Sequence, residues 1–324
     1  MIVPAINYPI SCGATVYLEA EAFWCMLTVF GSIALDTTRT PFKTQINILG
    51  GAATFASISS SFFTPTSIVG AIGSDFPVCY REILDKRLDT RGIVRYENDL
   101  CFHYDSSFDY DLSHRTTNKT ELNVISNFEP NIPPEYADTD YLYLANNDPI
   151  QNMRILEYFS DPRLTICDTI EYWILHKREK VIKMMSRVDG VIINQEEARL
   201  LCGEYNLVKC AKKIMSFGPE FTVIKKGENG AVLFYGDMIF PAPAYPLDVI
   251  LDPTGAGDSF AGGFIGHIAR QRKRTTNVMK EAVIYGNVMG AFAVQDFGVS
   301  AFLGLSKRDI QNRYKKYRAM VSFG

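Results

Sequence analysis

The chain has 324 residues, of which 47% are hydrophobic and 21% are charged, and its formal net charge is −3. This is the composition of an ordinary globular protein, and the length allows one large α/β domain or two smaller ones. The small net charge argues against nucleic acid or anionic lipid as a partner, so any anionic ligand has to be held by local geometry.

The N-terminal residues do not resemble a targeting segment. Residues 1–25 lack a basic stretch and contain Glu19 and Glu21, and the apolar stretch 22–35 is too short to span a bilayer. The seven cysteines are scattered and form no Cys-x-x-Cys, which indicates reduced thiols. We therefore expect a cytoplasmic protein with no membrane partner, in which an uncertain N-terminal extension at 1–25 precedes a single domain at 26–324.

Apolar runs and helical patterns follow one another along the chain. The runs at 26–35, 66–73, 140–146, 163–168, 190–194 and 221–226 predict buried strands, and the patterns at 76–89 and 206–218 predict helices between them. Further helices are predicted at 255–273, 276–295 and 306–321. This order predicts an α/β fold in which helices cover both faces of a mostly parallel central sheet.

Two regions interrupt that order, at 37–48 and 94–125. They are polar, threonine-rich and aromatic, with a period of two and no helical pattern. They predict a small antiparallel sheet that projects from the main domain as a lid over a cleft. The edges of such a lid also suggest a homodimer formed through it.

The segment DPTGAGDSFAGGF at 252–264 places three small residues before an acid where a helix is expected to begin. The free N–H groups of a first helical turn attract an anion, and glycines let that anion approach the backbone. A carboxylate at Asp258 would repel a phosphate, but it suits a base that takes a proton from an attacking hydroxyl. The structural alternative is a helix start with glycine packing and an acid that is favourable in its first turn.

This segment closely resembles the C-terminal signature of the PfkB sugar kinases, the ribokinase-like family that also contains adenosine kinase. The resemblance extends from about residue 26 to 320, and it implies a ribokinase-like fold with ATP and Mg²⁺ as cofactors. It also implies that the backbone of Gly255, Ala256 and Gly257 forms an anion hole for the transferring phosphoryl group. Asp258 is then the general base, and Thr254 and Gly257 contact ATP.

Two further motifs occur in the order the family has them. Asn194 and Glu197 in NQEEA match an Asn-x-x-Glu that orders magnesium and phosphate through water, although alone they would be read as a helix N-cap. The segment KKGENG resembles the family's Lys-x-Gly-x-x-Gly, and it implies ATP contacts by Lys226, Gly227 and Gly230. By itself it is an ordinary hairpin turn.

A monovalent cation is also implied. Asp252 precedes the anion hole, and the segment AVQDFG at 293–298 resembles the loop that, with it, holds potassium in many family members. Backbone carbonyls would supply most of the ligands.

The acceptor side is predicted from the first half of the chain. GSIALD at 31–36 implies that Asp36 bonds to substrate hydroxyls, and the backbone of Gly50 and Gly51 matches the family's Gly-Gly motif. The chain departs from the family at Phe55, where asparagine is common, and this predicts a reshaped acceptor pocket and weakens an assignment to ribose. Arg115 could fork onto a carboxylate or phosphate of the substrate, or it could protect an exposed strand edge.

These motifs predict an ATP-dependent kinase that phosphorylates a hydroxyl of a sugar or sugar-like molecule. A nucleoside is the alternative acceptor, since aromatic residues of the lid could stack on a base: Phe102, Tyr104, Phe108 and Tyr110. An idle nucleotide-binding protein of the same fold is the alternative from another class, although such a protein would be expected to lack part of the motif set.

Overall fold

The computed structural model describes residues 27–126 and 128–322, so the extension predicted at 1–25 lies outside the described residues. The strands are β1 Leu27–Phe30, β2 Ala34–Arg39, β3 Thr44–Gly50, β4 Thr66–Ile72, β5 Asp89–Arg95, β6 Phe102–Phe108, β7 Arg115–Glu121, β8 Tyr141–Leu144, β9 Leu164–Cys167, β10 Gly190–Asn194, β11 Phe221–Lys225, β12 Ala231–Tyr235 and β13 Met238–Ala242. The helices are α1 Ala52–Ser61, α2 Val78–Asp85, α3 Pro149–Leu156, α4 Glu171–Met185, α5 Gln195–Cys202, α6 Leu207–Met215, α7 Ala256–Gln271, α8 Thr276–Ala293, α9 Ser300–Leu303 and α10 Lys307–Val321. Short 3₁₀ helices lie at Asn123–Ile125, Pro134–Tyr136 and Gly227–Asn229.

The central sheet has nine strands in the order β13-β12-β11-β10-β9-β8-β1-β4-β5. All neighbouring strands from β11 to β5 are parallel, and β12 and β13 add an antiparallel edge. The prediction of a mostly parallel sheet is therefore confirmed.

Two apolar cores cover the faces of this sheet, and successive strand residues alternate between them. In β8, Tyr141 and Tyr143 belong to the core under α1, α7, α8 and α10, whereas Leu142 and Leu144 belong to the core under α3, α4, α5 and α6. This alternation is the period of two of an extended strand, and it explains why the strand sequences are apolar throughout.

The small sheet has the order β3-β2-β6-β7. Its two outer pairings are antiparallel, as expected, and its central pairing between β2 and β6 is parallel.

Two predicted boundaries were wrong. The apolar run 26–35 contains β1 and also the first residues of β2, because the chain leaves the central sheet at Gly31 and enters the small sheet at Ala34. Residues 94 and 95, predicted as part of the lid, end β5 of the central sheet, where Arg95 pairs with Ile72.

Helices α1 and α7 pack closely because glycines of α7 face α1. A Cβ on Gly262 would overlap the carbonyl oxygen of Ala56 and lie 2.8 Å from the Cβ of Ser59.

We expect Gly262→Ala to lower the free energy of unfolding by about 1–3 kcal/mol through overpacking, although alanine favours a helix by about 1 kcal/mol. Denaturant unfolding measures this. The control is Gly304→Ala, since Gly304 has no heavy atom within 4 Å of its Cβ position. Equal stability of the two variants would contradict the packing argument.

Candidate active site

The functional side chains meet at the carboxyl ends of the parallel strands. Asp168 directly follows β9, Asn194 ends β10 and Lys225 ends β11. These three strands are neighbours, so their ends share one edge of the sheet. This is the edge at which open α/β sheets bind their ligands.

Helix α7 begins in front of this edge, and its start at Ala256 agrees with the helix predicted at 255–273. Gly255 is its N-cap with φ 74°, a left-handed conformation that glycine adopts readily. Ala256 donates its N–H to the carbonyl oxygen of Pro253 at 3.3 Å, whereas the described residues offer no backbone acceptor to the N–H groups of Gly255 or Gly257. The first turn therefore presents free N–H donors, and its residues from Gly255 to Asp258 are only half-buried.

Asp258 is the third residue of α7 and lies among charged groups. Burial and the Asp168 carboxylate raise the pKa of Asp258, Lys225 and Arg115 lower it, and together they place it at about 6. A carboxylate with this pKa is ionised at neutral pH and remains able to take up a proton, as a general base must.

Asp36 lies on β2 of the small sheet and contacts the start of α1. Its Oδ2 accepts the N–H of Gly51 at 3.3 Å, and a Cβ on Gly50 would overlap the carboxylate. The Gly-Gly pair therefore lets the Asp36 side chain lie against the backbone. Burial raises the pKa of Asp36, the Gly51 hydrogen bond lowers it, and the charges of Asp252 and Asp258 raise it, with a net pKa of about 7.

Arg115 brings a positive charge to the same cleft from β7. Its guanidinium lies 5.5 Å from the centre of the Tyr104 ring. Its charge also lowers the pKa of Asp36, Glu197 and Asp258, so its electrostatic influence extends to carboxyls of both the central and the small sheet.

Phe55 does not have the place that the sequence predicted. Its ring is 1% exposed and packs under Gly255, whose Cβ would lie 2.5 Å from three ring carbons. The ring therefore supports the start of α7 instead of lining an acceptor pocket. The residues around Phe55 in α1 are mostly small or apolar, so the sequence did not show whether its side chain faces the acceptor pocket or the protein interior.

Asn194 and Glu197 form a capping box at the start of α5. The Asn194 side chain accepts the N–H of Glu197 at 2.8 Å, and Glu197 Oε2 accepts the N–H of Asn194 at 3.0 Å. The structure thus contains the helix cap that was the alternative to a phosphate site. Burial raises the pKa of Glu197, and Asp168 raises it further, so this carboxyl also belongs to the charged cluster at the sheet edge.

Asp252 is fully buried in the loop before α7. Its Oδ1 accepts the N–H of Thr254 at 2.8 Å, but its Oδ2 has no partner among the described residues. The Thr254 hydroxyl lies 3.4 Å from that of Thr38 on β2, which joins this loop to the small sheet. Burial raises the pKa of Asp252, and the Asp296 charge adds to the effect.

The sequence analysis missed three residues of the cluster: Lys225, Asp168 and Tyr143. Lys225 Nζ donates to Asp168 Oδ2 at 3.0 Å, and the Tyr143 hydroxyl donates to the same oxygen at 3.3 Å. A Cβ on Gly257 would lie 2.9 Å from Lys225 Nζ, so this amine contacts the first turn of α7. Lys225 occupies the lysine position of the Lys-x-Gly-x-x-Gly motif, so the motif itself could have identified Lys225 as a site residue.

Lys226, Gly227 and Gly230 form the turn between β11 and β12. The N–H of Lys226 donates to the carbonyl oxygen of Gly230 at 2.7 Å, and Gly227 is exposed. Gly230 has φ 84°, and a Cβ there would lie 2.6 Å from the backbone nitrogen of Ala244. The lysine amine that contacts the first turn of α7 is that of Lys225, and Lys226 lies in the hairpin turn beyond it.

The sequence matches the profile of the pfkB family carbohydrate kinases over residues 31–304. The chain belongs to the PfkB family. It is 28% identical over 256 residues to the cytidine kinase of Thermococcus kodakarensis, which covers 76% of this chain and 89% of the relative. It is 25% identical over 275 residues to the nucleoside kinase of Methanothermobacter thermautotrophicus, with 81% and 83% covered.

The fold of this PfkB protein is also that of solved kinases. The nucleoside kinase of Burkholderia thailandensis in complex with inosine superposes with a TM-score of 0.73 at 17% identity, covering 90% of this chain and 97% of the other. The ribokinase-like fold is therefore confirmed, and the chain is an ATP-dependent kinase that phosphorylates a hydroxyl group. Within residues 27–126 and 128–322, no helix has both the length and the apolar character needed to cross a bilayer.

The pKa of Asp258 leads to a pH prediction. Because this pKa is raised to about 6, Asp258 is protonated below pH 6 and cannot act as a base there. We expect protonation of Asp258 to lower kcat/KM for the acceptor by about tenfold per pH unit below pH 6, and Asp36, whose pKa is about 7, to add a second limb near pH 7. A pH profile measures this. In Asp36→Asn the limb near pH 6 should remain, because Asp258 is still present. A profile that stays level through pH 6 in both proteins would contradict the assignment.

Proposed function

We propose that this PfkB kinase transfers the γ-phosphoryl group of ATP to a hydroxyl of a nucleoside. The observation that carries the proposal is the half-buried first turn of α7, where Asp258 lies beside free N–H donors. The charge of Asp258 also raises the pKa of Asp36 on the small sheet, and Arg115 lowers the pKa of both. Base, anion donors and a hydroxyl-binding carboxylate are the three parts that phosphorylation of an alcohol requires.

In the proposed mechanism the residues of this chain orient the acceptor and stabilise charge. Asp36 accepts a hydrogen bond from an acceptor hydroxyl, and Asp258 takes the proton of the attacking hydroxyl as its oxygen bonds to the γ-phosphorus. The bond from that phosphorus to the β-γ bridging oxygen breaks, and ADP leaves. The free N–H groups of Gly255 and Gly257 donate to the phosphoryl oxygens while charge develops on them.

Two curated relatives that cover most of the chain support a nucleoside as the acceptor, since one is named a cytidine kinase and the other a nucleoside kinase. Tyr104, which lies beside Arg115 on the small sheet, offers an aromatic face for a base. A free sugar is the second candidate. It is favoured by Asp36, because a carboxylate recognises hydroxyls whichever molecule carries them.

The residues present also fit the two cations implied by the family. Glu197 and Asn194 already bind each other in the capping box, so they would hold Mg²⁺ mainly through water, and the ion would neutralise phosphate charge. The buried Asp252 Oδ2 without a partner, close to Asp296, fits K⁺, whose charge would offset that carboxylate beside the anion hole.

The small sheet completes the proposal as a lid that excludes water from the acceptor. The Thr38 hydroxyl of this sheet contacts Thr254 in the loop before α7, so a movement of the lid would displace residues next to the proposed anion hole. We further propose a cytoplasmic enzyme that forms a homodimer through this sheet, with no nucleic acid or membrane partner.

An acceptor panel tests the proposal. ADP release is measured with ATP, Mg²⁺ and K⁺ in the presence of nucleosides, free sugars or sugar phosphates. We expect a nucleoside such as cytidine to give a kcat/KM at least about tenfold above that of any free sugar, since a bound base adds stacking of about 1–3 kcal/mol.

The two alternatives give different results in this panel. Preference for a free sugar would replace the proposed acceptor by the second candidate and leave the mechanism intact. ATP binding without release of ADP for any acceptor would favour an idle nucleotide-binding protein.

A further inference from the structure

The chain enters β6 of the small sheet through a clamp formed by residues 73–75, the loop after β4. The N–H and the hydroxyl of Ser74 both donate to the carbonyl oxygen of Asp99, at 2.9 and 3.1 Å. Asp75 Oδ1 accepts the N–H of Cys101 at 2.7 Å. The loop lies so close that a Cβ on Gly73 would be 2.4 Å from the backbone nitrogen of Cys101. The central domain therefore holds residues 99–101 immediately before β6 begins.

Asp75 also contacts a side chain of the small sheet. Its Oδ2 accepts the Nε2–H of His103, the second residue of β6, at 3.0 Å. Although burial raises the pKa of Asp75, the hydrogen bonds from His103 and Cys101 bring it below its ordinary value, so the carboxyl is ionised at neutral pH. Hydrogen bonds to an ionised acceptor are the strong ones. One carboxylate thus fixes the backbone at residue 101 and the side chain at residue 103.

The His103 side chain faces away from the acceptor cleft. In the parallel pairing of β2 with β6, Asp36 is the partner of Tyr104, and Leu35 is the partner of His103. Partners on neighbouring strands share a face, and consecutive residues point to opposite faces. His103 therefore lies on the face of the buried Leu35. Its bond to Asp75 supports β6 from the side opposite to Asp36.

The position of Asp36 depends on this support, because β2 is paired with β6 along its length. The pairs extend from Ala34 with Phe102 to Arg39 with Ser107. The bond from the N–H of Gly51 to Asp36 Oδ2 is 3.3 Å, longer than the usual distance of about 2.9–3.0 Å, so it holds Asp36 weakly. The direction in which β6 leaves the central domain therefore decides where Asp36 lies over the cleft.

We propose that Asp75 is a positioning residue for the acceptor: with His103 it fixes the start of β6, and through the pairing of β6 with β2 it fixes Asp36. The inference rests on the proposed function, in which Asp36 binds an acceptor hydroxyl. Asp75 itself touches neither substrate, so its loss should weaken acceptor binding and leave the machinery at α7 intact.

Hydrogen exchange followed by mass spectrometry tests the support itself, without any acceptor. The main variant is Asp75→Ala. Asp75→Asn and His103→Phe are milder changes that keep the test possible if Asp75→Ala does not fold. Asp99→Ala is the matched control, because Asp99 is an exposed acid in the segment that the clamp holds.

We expect the amides of β2 and β6 to exchange at least about tenfold faster in Asp75→Ala, while those of β9, β10 and β11 keep the wild-type rate. Asp75→Asn should lie between, since an amide oxygen still accepts the N–H of Cys101. His103→Phe should also speed exchange in β6, and Asp99→Ala should match wild type. Unchanged exchange in β2 and β6, or equal acceleration in all strands, would overturn the inference.

Kinetics with cytidine then distinguish positioning from a purely structural role. We expect Asp75→Ala to raise KM for cytidine by about tenfold, to leave kcat within about threefold of wild type, and to leave the dissociation constant of ATP unchanged. A fall in kcat with KM unchanged would overturn the positioning role. If wild type does not phosphorylate cytidine, the proposed acceptor is wrong, and the exchange rates still decide whether Asp75 holds the small sheet.

Discussion

Replacing Asp258 by asparagine is expected to lower kcat by roughly 10²-fold or more while the affinity for ATP stays nearly unchanged. Asparagine keeps the size and shape of the side chain, so the first turn of α7 and its N–H donors should stay in place. It cannot take a proton, and the neighbouring carboxylates are held by other partners. Asp168 is bonded to Lys225, Tyr143 and Thr169, and Asp36 accepts the N–H of Gly51.

The measurement combines kcat from acceptor-dependent ADP release with the dissociation constant of ATP from calorimetry. Asp237→Asn is the matched control, because Asp237 is exposed in the turn between β12 and β13. Its kcat should equal that of wild type. Turnover near the wild-type rate in Asp258→Asn would remove Asp258 from the mechanism.

The second large effect is expected at the N-cap of α7. Gly255→Ala should lower kcat/KM by at least about 10²-fold, because a displacement of about 1 Å at a catalytic group can have that effect. Two causes add up. Gly255 has φ 74°, where an L-residue is strained by about 1–2 kcal/mol, and its Cβ would lie 2.5 Å from the buried Phe55 ring. The start of α7 must therefore shift, and the anion donors shift with it.

Two variants separate these causes. Gly236→Ala introduces the same kind of strain at φ 55° in a turn where no heavy atom lies within 4 Å, so its activity should be that of wild type. The double variant Phe55→Val/Gly255→Ala removes ring atoms and should regain at least about tenfold in kcat/KM. If the double variant is no better than Gly255→Ala, crowding against Phe55 is not the cause.

The sequence was most informative where a local pattern has one physical use. Glycines before an acid at a helix start predicted the free donors of α7 and the position of Asp258, and the structure shows both. Apolar runs predicted the strands of the central sheet because strands buried on both faces cannot tolerate polar residues.

Contacts between distant segments could not be predicted in this way. The parallel pairing of β2 with β6 joins residues 68 positions apart, such as Ala34 and Phe102, and a period of two does not say which strands become neighbours. The same holds for Lys225 and Asp168, which meet only because β11 and β9 end at one edge of the sheet. Phe55 is a different case. Its departure from the family pattern was interpreted as a reshaped acceptor pocket, whereas its ring packs against Gly255.

The central claim is that Asp258 activates an acceptor hydroxyl for attack on ATP, and one measurement tests it most directly. Wild type and Asp258→Asn are incubated with ATP, Mg²⁺, K⁺ and cytidine, and ADP and the phosphate monoester of the acceptor are quantified together by ³¹P NMR. The account predicts equal amounts of ADP and phosphorylated acceptor with wild type, and loss of both with the variant. Release of ADP without a phosphorylated acceptor, or equal product from the two proteins, would contradict it.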